Sequence, residues 1–167
     1  VPTSYRSDVP HGLLLVLPEP GKVDRKAWMD AWERFCREHR TIVAILESAD
    51  PQAWSMEELE IMRRCYQEIQ TQYNIDRRRV VVGGLGAGSV PALVVGNQIG
   101  SSLSGLWLAQ GSVPRGLKLQ QAEPMNSTSV LLQGDAPAYK SLAEQFRKLG
   151  FRCLFTPEKF DLADSLN

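Results

Sequence analysis

Three consecutive valines, Val80-Val81-Val82, run directly into Gly83-Gly84-Leu85-Gly86-Ala87-Gly88. Valine favours extended backbone, whereas glycine tolerates reversals that a Cβ would block. The apolar stretch that follows, ending about Gln98, has the length of a short helix, so a strand must turn at once into a helix. A strand–turn–helix unit of this kind is built to pack helices on the faces of a parallel sheet.

The rest of the chain repeats the alternation. Leu13 to Leu17 is a short continuous apolar run closed by Pro18 and Pro20, which predicts a strand buried on both faces. From Asp24 to His39, Trp28, Ala31, Trp32, Phe35 and Cys36 recur at helical spacing, with Asp24 placed as an N-cap. Thr41 to Leu46 predicts a second strand. A second helix follows from a capping box at Ser55 and Glu58 and ends near Tyr73. The third strand contains Val80, Leu106 to Ala109 predicts a fourth, and a Gly- and Pro-rich loop over 110–127 leads to a fifth at Val130-Leu131-Leu132. A helix over about Pro137 to Leu149 and a strand over Phe151 to Phe155 complete the pattern. The expected architecture is a mostly parallel, doubly wound sheet of about six strands with helices on both faces, forming one domain over 1–167.

Charge and cysteine usage narrow the function classes. Nineteen basic and nineteen acidic residues cancel, which argues against nucleic acid or an anionic membrane as partner. The apolar runs are far too short to span a bilayer, so no membrane insertion is expected. Cys36, Cys65 and Cys153 form no C-x-x-C pair and have no histidine cluster beside them, so they read as small core hydrophobes and no metal or cofactor is expected. The stretch before Gly12 reads like the end of a β-hairpin, which suggests a domain excised from a longer multidomain protein.

Several residues admit two readings. Gly84 and Gly86 before a helix form a G-x-G that can cradle phosphate, but the third glycine of a dinucleotide fingerprint falls at Ser89, and a purely structural tight turn is the expectation. Ser89 is expected to cap a helix starting there, because Pro91 then sits in the first turn. Trp28 and Trp32 are expected in the core and Trp54 on the surface. Arg77-Arg78-Arg79 reads as a solvated cluster that offsets the dipole of the preceding helix.

The elbow, together with Val1-Pro2-Thr3-Ser4-Tyr5, Tyr73-Asn74-Ile75-Asp76-Arg77-Arg78-Arg79-Val80 and Val130-Leu131-Leu132-Gln133-Gly134-Asp135, resembles the α/β-hydrolases, in particular their esterase and polyhydroxyalkanoate-depolymerase-like branch. The resemblance covers nearly the whole chain and implies a three-layer sandwich without a lid domain. It places Gly84 and Gly88 as the glycines of G-x-S-x-G, with Gly86 where the nucleophilic serine stands. Asp135 matches the region of the triad acid, while Thr156 to Asn167, where the histidine is expected, contains none. The family's His-Gly after the first strand is replaced by Pro18-Glu19. Proline offers no N–H to an oxyanion hole, and a carboxylate there opposes a developing negative charge.

The resemblance therefore implies a vestigial elbow at Gly84, Gly86 and Gly88 with no catalytic residues, in a catalytically inactive module that serves interaction or structure within a larger bacterial protein. In context alone the chain also resembles degenerate hydrolase modules at the C-terminus of trypsin-like and PDZ-containing proteases. The expected partner is protein, either other domains of the same chain or a separate one. Two alternatives stay open: an active esterase using non-standard residues, and a small-ligand binder using the space above Gly86.

Overall fold

The computed structural model describes residues 1–99, 103–113, 119, 128–135 and 137–158. The described residues form six strands and four helices, alternating except that no helix is described between β4 and β5: β1 His11–Leu17, α1 Arg25–His39, β2 Thr41–Ile45, α2 Glu57–Gln72, β3 Ile75–Leu85, α3 Ser89–Ile99, β4 Gly105–Ala109, β5 Ser129–Gln133, α4 Pro137–Lys148 and β6 Arg152–Thr156. The strands form one sheet in the order β2-β1-β3-β4-β5-β6. All five neighbouring pairs are parallel. The loop expected over 110–127 lies mostly outside the described residues, so the expectation of no lid is not tested there.

Local chemistry explains the helix boundaries. The Asp24 carboxylate accepts the Lys26 and Ala27 N–H groups at 3.0 and 3.1 Å, capping α1 as expected. At α2 the capping box is reciprocal: Ser55 N–H donates to Glu58 at 2.6 Å, and Glu58 N–H donates to Ser55 Oγ at 3.4 Å. Glu58 also accepts the Ala49 N–H at 2.7 Å and the Ser48 hydroxyl at 3.2 Å, which ties the loop after β2 to the start of α2.

The described helices cover the two sheet faces unequally. On one, α2, α3 and α4 bury Leu59, Met62, Tyr66, Leu93, Leu142 and Phe146 against Leu13, Leu15, Val80, Val82, Leu106 and Leu132. On the other, α1 is the one helix among the described residues that covers Leu14 and Val16, with Trp28, Trp32 and Cys36, and Val81 and Trp107 are only partly buried there. Both expected core tryptophans are thus in the core.

Four expectations are corrected. Residues 1–10 form turns rather than the end of a hairpin, their backbone bonds being local, such as Tyr5 N–H to Pro2 C=O at 3.0 Å. Arg77-Arg78-Arg79 lies inside β3 and not after a helix end. Arg79 does serve a helix terminus, but that of α1: its guanidinium donates to the His39 carbonyl and, at 3.4 Å, to Thr41 Oγ1. Of the cysteines only Cys36 is buried; Cys65 and Cys153 are half-buried, and all three are free thiols. Trp54 is half-buried rather than exposed, and its indole N–H donates to the Pro18 carbonyl at 3.1 Å.

Candidate functional site

Strand order places the candidate site. The connection after β1 leads outward to β2, whereas the connection after β3 leads the other way to β4, so the sheet reverses its winding between two adjacent strands. Ligand crevices of open α/β sheets lie outside the carboxyl ends of the strands at such a point. The segments arriving there are Pro18-Glu19 after β1 and the glycine elbow after β3.

The elbow is a tight turn. Gly86 has φ +54°, a left-handed conformation that side chains disfavour, and Gly86–Gly88 forms a 3-10 turn running without a gap into α3. Close packing explains the flanking glycine: a Cβ on Gly88 would stand 1.9 Å from the Leu17 carbonyl oxygen. This is the structural tight turn expected from the G-x-G spacing. The α-helix starts at Ser89 as expected, yet the preceding 3-10 turn means that the helical start is not displaced from the elbow.

Ser89 is not a cap. It has helical φ and ψ of −65° and −33° and is fully buried, and its hydroxyl faces the Gly84 carbonyl at 3.0 Å and the Ala109 carbonyl at 3.3 Å. Tyr139 of α4, also fully buried, sets its hydroxyl 3.4 Å from Ser89 Oγ and accepts the Gly111 N–H at 2.8 Å. This chain of bonds pins the back of the elbow to the ends of β3 and β4. Burial pushes the Tyr139 phenol above its ordinary value, more than its bonds with Ser89 and Gly111 lower it. The helical spacing identified Tyr139 as a core residue, but its hydroxyl's role depends on a partner fifty residues away and leaves no local pattern.

The front of the elbow is occupied by the chain itself. A Cβ on Gly86 would lie 2.6 Å from Glu19 Oε2. The other oxygen of that carboxylate, Oε1, pairs with Lys22 Nζ at 2.8 Å. Glu19 is held between buried prolines 18 and 20, and Trp54 anchors the Pro18 carbonyl. The carboxylate therefore fills the position into which a side chain at Gly86 would project, so the space above Gly86 is not vacant.

The remaining candidates are dispersed. Asp135 is exposed, two residues beyond Gln133, whose register partners Ala109 and Leu85 lead back to the elbow strand. It shares the elbow's edge of the sheet, two strands and about 10 Å away across the ladder. Both histidines lie at the opposite edge. His11 opens β1, six residues or about 20 Å of strand before Leu17, which pairs with Gly84. It is buried, with Nδ1 2.7 Å from the Val9 carbonyl and its ring against Tyr5. His39 ends α1, just ahead of Thr41, which pairs with Gly12. No group of three or more His, Cys, Asp or Glu residues suited to a metal occurs among the described residues.

With this sheet, winding reversal and elbow, the chain has an α/β-hydrolase-like fold. Solved structures of similar shape agree. A thermostable esterase superposes with a TM-score of 0.64 at 14% identity, covering 99% of this chain and 50% of that one. An esterase of Thermogutta terrifontis gives 0.63 at 13% identity, covering 96% and 75%. A dienelactone hydrolase described as putative, from Klebsiella pneumoniae, gives 0.62 at 13%, covering 90% and 75%. This chain thus spans half the length of the first esterase. No family model and no curated protein matches it.

Proposed function

We propose that this domain is a catalytically inactive α/β-hydrolase-like module that serves interaction or structure within a larger bacterial protein, with protein as its partner. A parent of the trypsin-like or PDZ-containing protease kind belongs to the same proposal. The observation that carries the reading is the Glu19 carboxylate, 2.6 Å from where the nucleophile's Cβ would stand. Nucleophilic attack at that point needs a side chain on residue 86, a base beside it and donors for the oxyanion. Residue 86 is glycine, and the carboxylate opposes negative charge building up at the same place. Both histidines stand at the far edge of the sheet. Ser89, the serine three residues beyond, is enclosed and bonded to carbonyl oxygens, with no base beside it among the described residues to take its proton.

The test is to incubate the purified domain with a serine-directed phosphonate probe and short-chain aryl esters. Neither labelling nor turnover above background is expected, and Gly86→Ser stays equally silent. Turnover by the parent chain that is lost in Asp135→Ala would favour the active-esterase reading and overturn this one.

A further inference from the structure

The sheet face that α1 covers only in part carries a groove of about 630 Å³ with opposite chemistry at its two ends. Its walls are Trp32 and Phe35 of α1 and Trp107 of β4, over a floor that includes Val81 and Leu131. At one end stand Arg78 and Arg79, beside His39 and Thr41. Neither arginine pairs with a carboxylate among the described residues. Among the described residues Arg79 donates only to the neutral His39 carbonyl and Thr41 hydroxyl, and no acidic one lines the groove.

We propose that this groove is a binding site for an amphiphilic carboxylate, with the alkyl or aryl tail between Trp32, Phe35 and Trp107 and the head on Arg78 and Arg79. Its volume falls within the range of small-molecule sites, which are mostly apolar and aromatic with a few polar groups that set orientation. Confinement of the cations to one end matches a ligand with a single anionic head. A guanidinium with no carboxylate partner offers such a head paired, charge-assisted bonds. The site lies on a sheet face and not at the elbow, so it stands whether or not the elbow is catalytic.

The full 167-residue chain is titrated with decanoate below its micelle concentration, with calorimetry and tryptophan fluorescence as readouts. Saturable one-to-one binding is expected. Arg78→Gln, which removes a guanidinium with no side-chain bond to lose among the described residues, weakens decanoate about tenfold, and Arg79→Gln does the same or more. Decan-1-ol binding does not change in either variant, whereas Leu131→Trp, checked for folding by circular dichroism, removes both ligands. No saturable binding, or decanoate affinity indifferent to both arginines, overturns the proposal. So does a dimer in sedimentation that decanoate cannot dissociate, which would assign the face to contact between copies. Tighter capture of an acidic amphipathic peptide than of decanoate would overturn it in favour of a protein helix.

Discussion

Tyr139→Phe removes one oxygen from a fully buried position and leaves the ring that fills it, so the change isolates the hydrogen bonds behind the elbow. In the folded chain that oxygen accepts the Gly111 N–H at 2.8 Å and lies 3.4 Å from Ser89 Oγ. After substitution the Gly111 N–H is buried without an acceptor, at a cost of about 1–3 kcal/mol, most of it the desolvation of an unpaired amide. The ring's apolar burial is unchanged, so no cavity term is added. For a chain of this size about 2 kcal/mol lowers Tm by roughly 4–8 °C. Urea unfolding followed by circular dichroism measures the difference. A cycle with Ser89→Ala apportions it, the double variant losing less than the sum of the singles by at least about 0.5 kcal/mol. The parent also carries an alkaline signature. The Tyr139 pKa is raised on folding, so its contribution is fully present below the unfolded value near 10 and is lost as pH rises through the folded one. Tyr139→Phe therefore flattens the stability curve above about pH 10. A loss below about 0.5 kcal/mol with additive singles would refute the buried-network account.

One glycine of the elbow and one inside α3 separate close packing from helix propensity. Gly88→Ala places a Cβ 1.9 Å from the Leu17 carbonyl oxygen, a backbone atom that cannot swing away, and is expected to cost more than about 3 kcal/mol in urea unfolding or to prevent folding. Gly96→Ala meets only the ends of the Leu106 and Leu103 side chains, at 3.1 and 3.4 Å, and gains helix propensity, so its stability stays within about 1 kcal/mol of the parent. Glu58→Ala removes the capping box and the tie to Ser48 and Ala49, and is expected to cost about 1–2 kcal/mol in the same measurement. Burial raises the Glu58 pKa, but the Ser55 and Ala49 amides and the two serine hydroxyls outweigh it and hold the group below its ordinary value. Its stabilisation is present above the unfolded pKa and lost as pH falls through the folded one, so Glu58→Ala reduces the acid dependence of unfolding.

What could be read from residues alone follows local physics. Period and length placed all six strands and four helices, because apolar runs and helical spacing report burial directly. Asp24 and the Ser55–Glu58 pair declared their caps, since capping is a matter of a few consecutive residues. The glycine elbow and the absence of histidine after the last strand were equally plain. Spatial partners were not. Ser89 looked like a cap because sequence shows its offset from Pro91 but not Tyr139, Gly84 and Ala109 closing round its hydroxyl. Arg79 looked like a partner of the helix before it, yet parallel pairing of β3 with β1 brings it to the end of α1 instead. The sequence placed Glu19 where an oxyanion hole is expected, but only the winding reversal between β1 and β3 brings its carboxylate over Gly86. The uneven covering of the sheet is likewise tertiary: Val81, Trp107 and Leu131 alternate like any buried strand residues, and whether a helix lies over them depends on how the crossovers distribute helices between the faces. Sequence by itself therefore determined the elements, their caps and the glycine at the apex of the elbow. Tertiary structure decided what lies against Gly86 and which sheet face the described helices cover less, because both depend on segments distant in the chain meeting on one sheet.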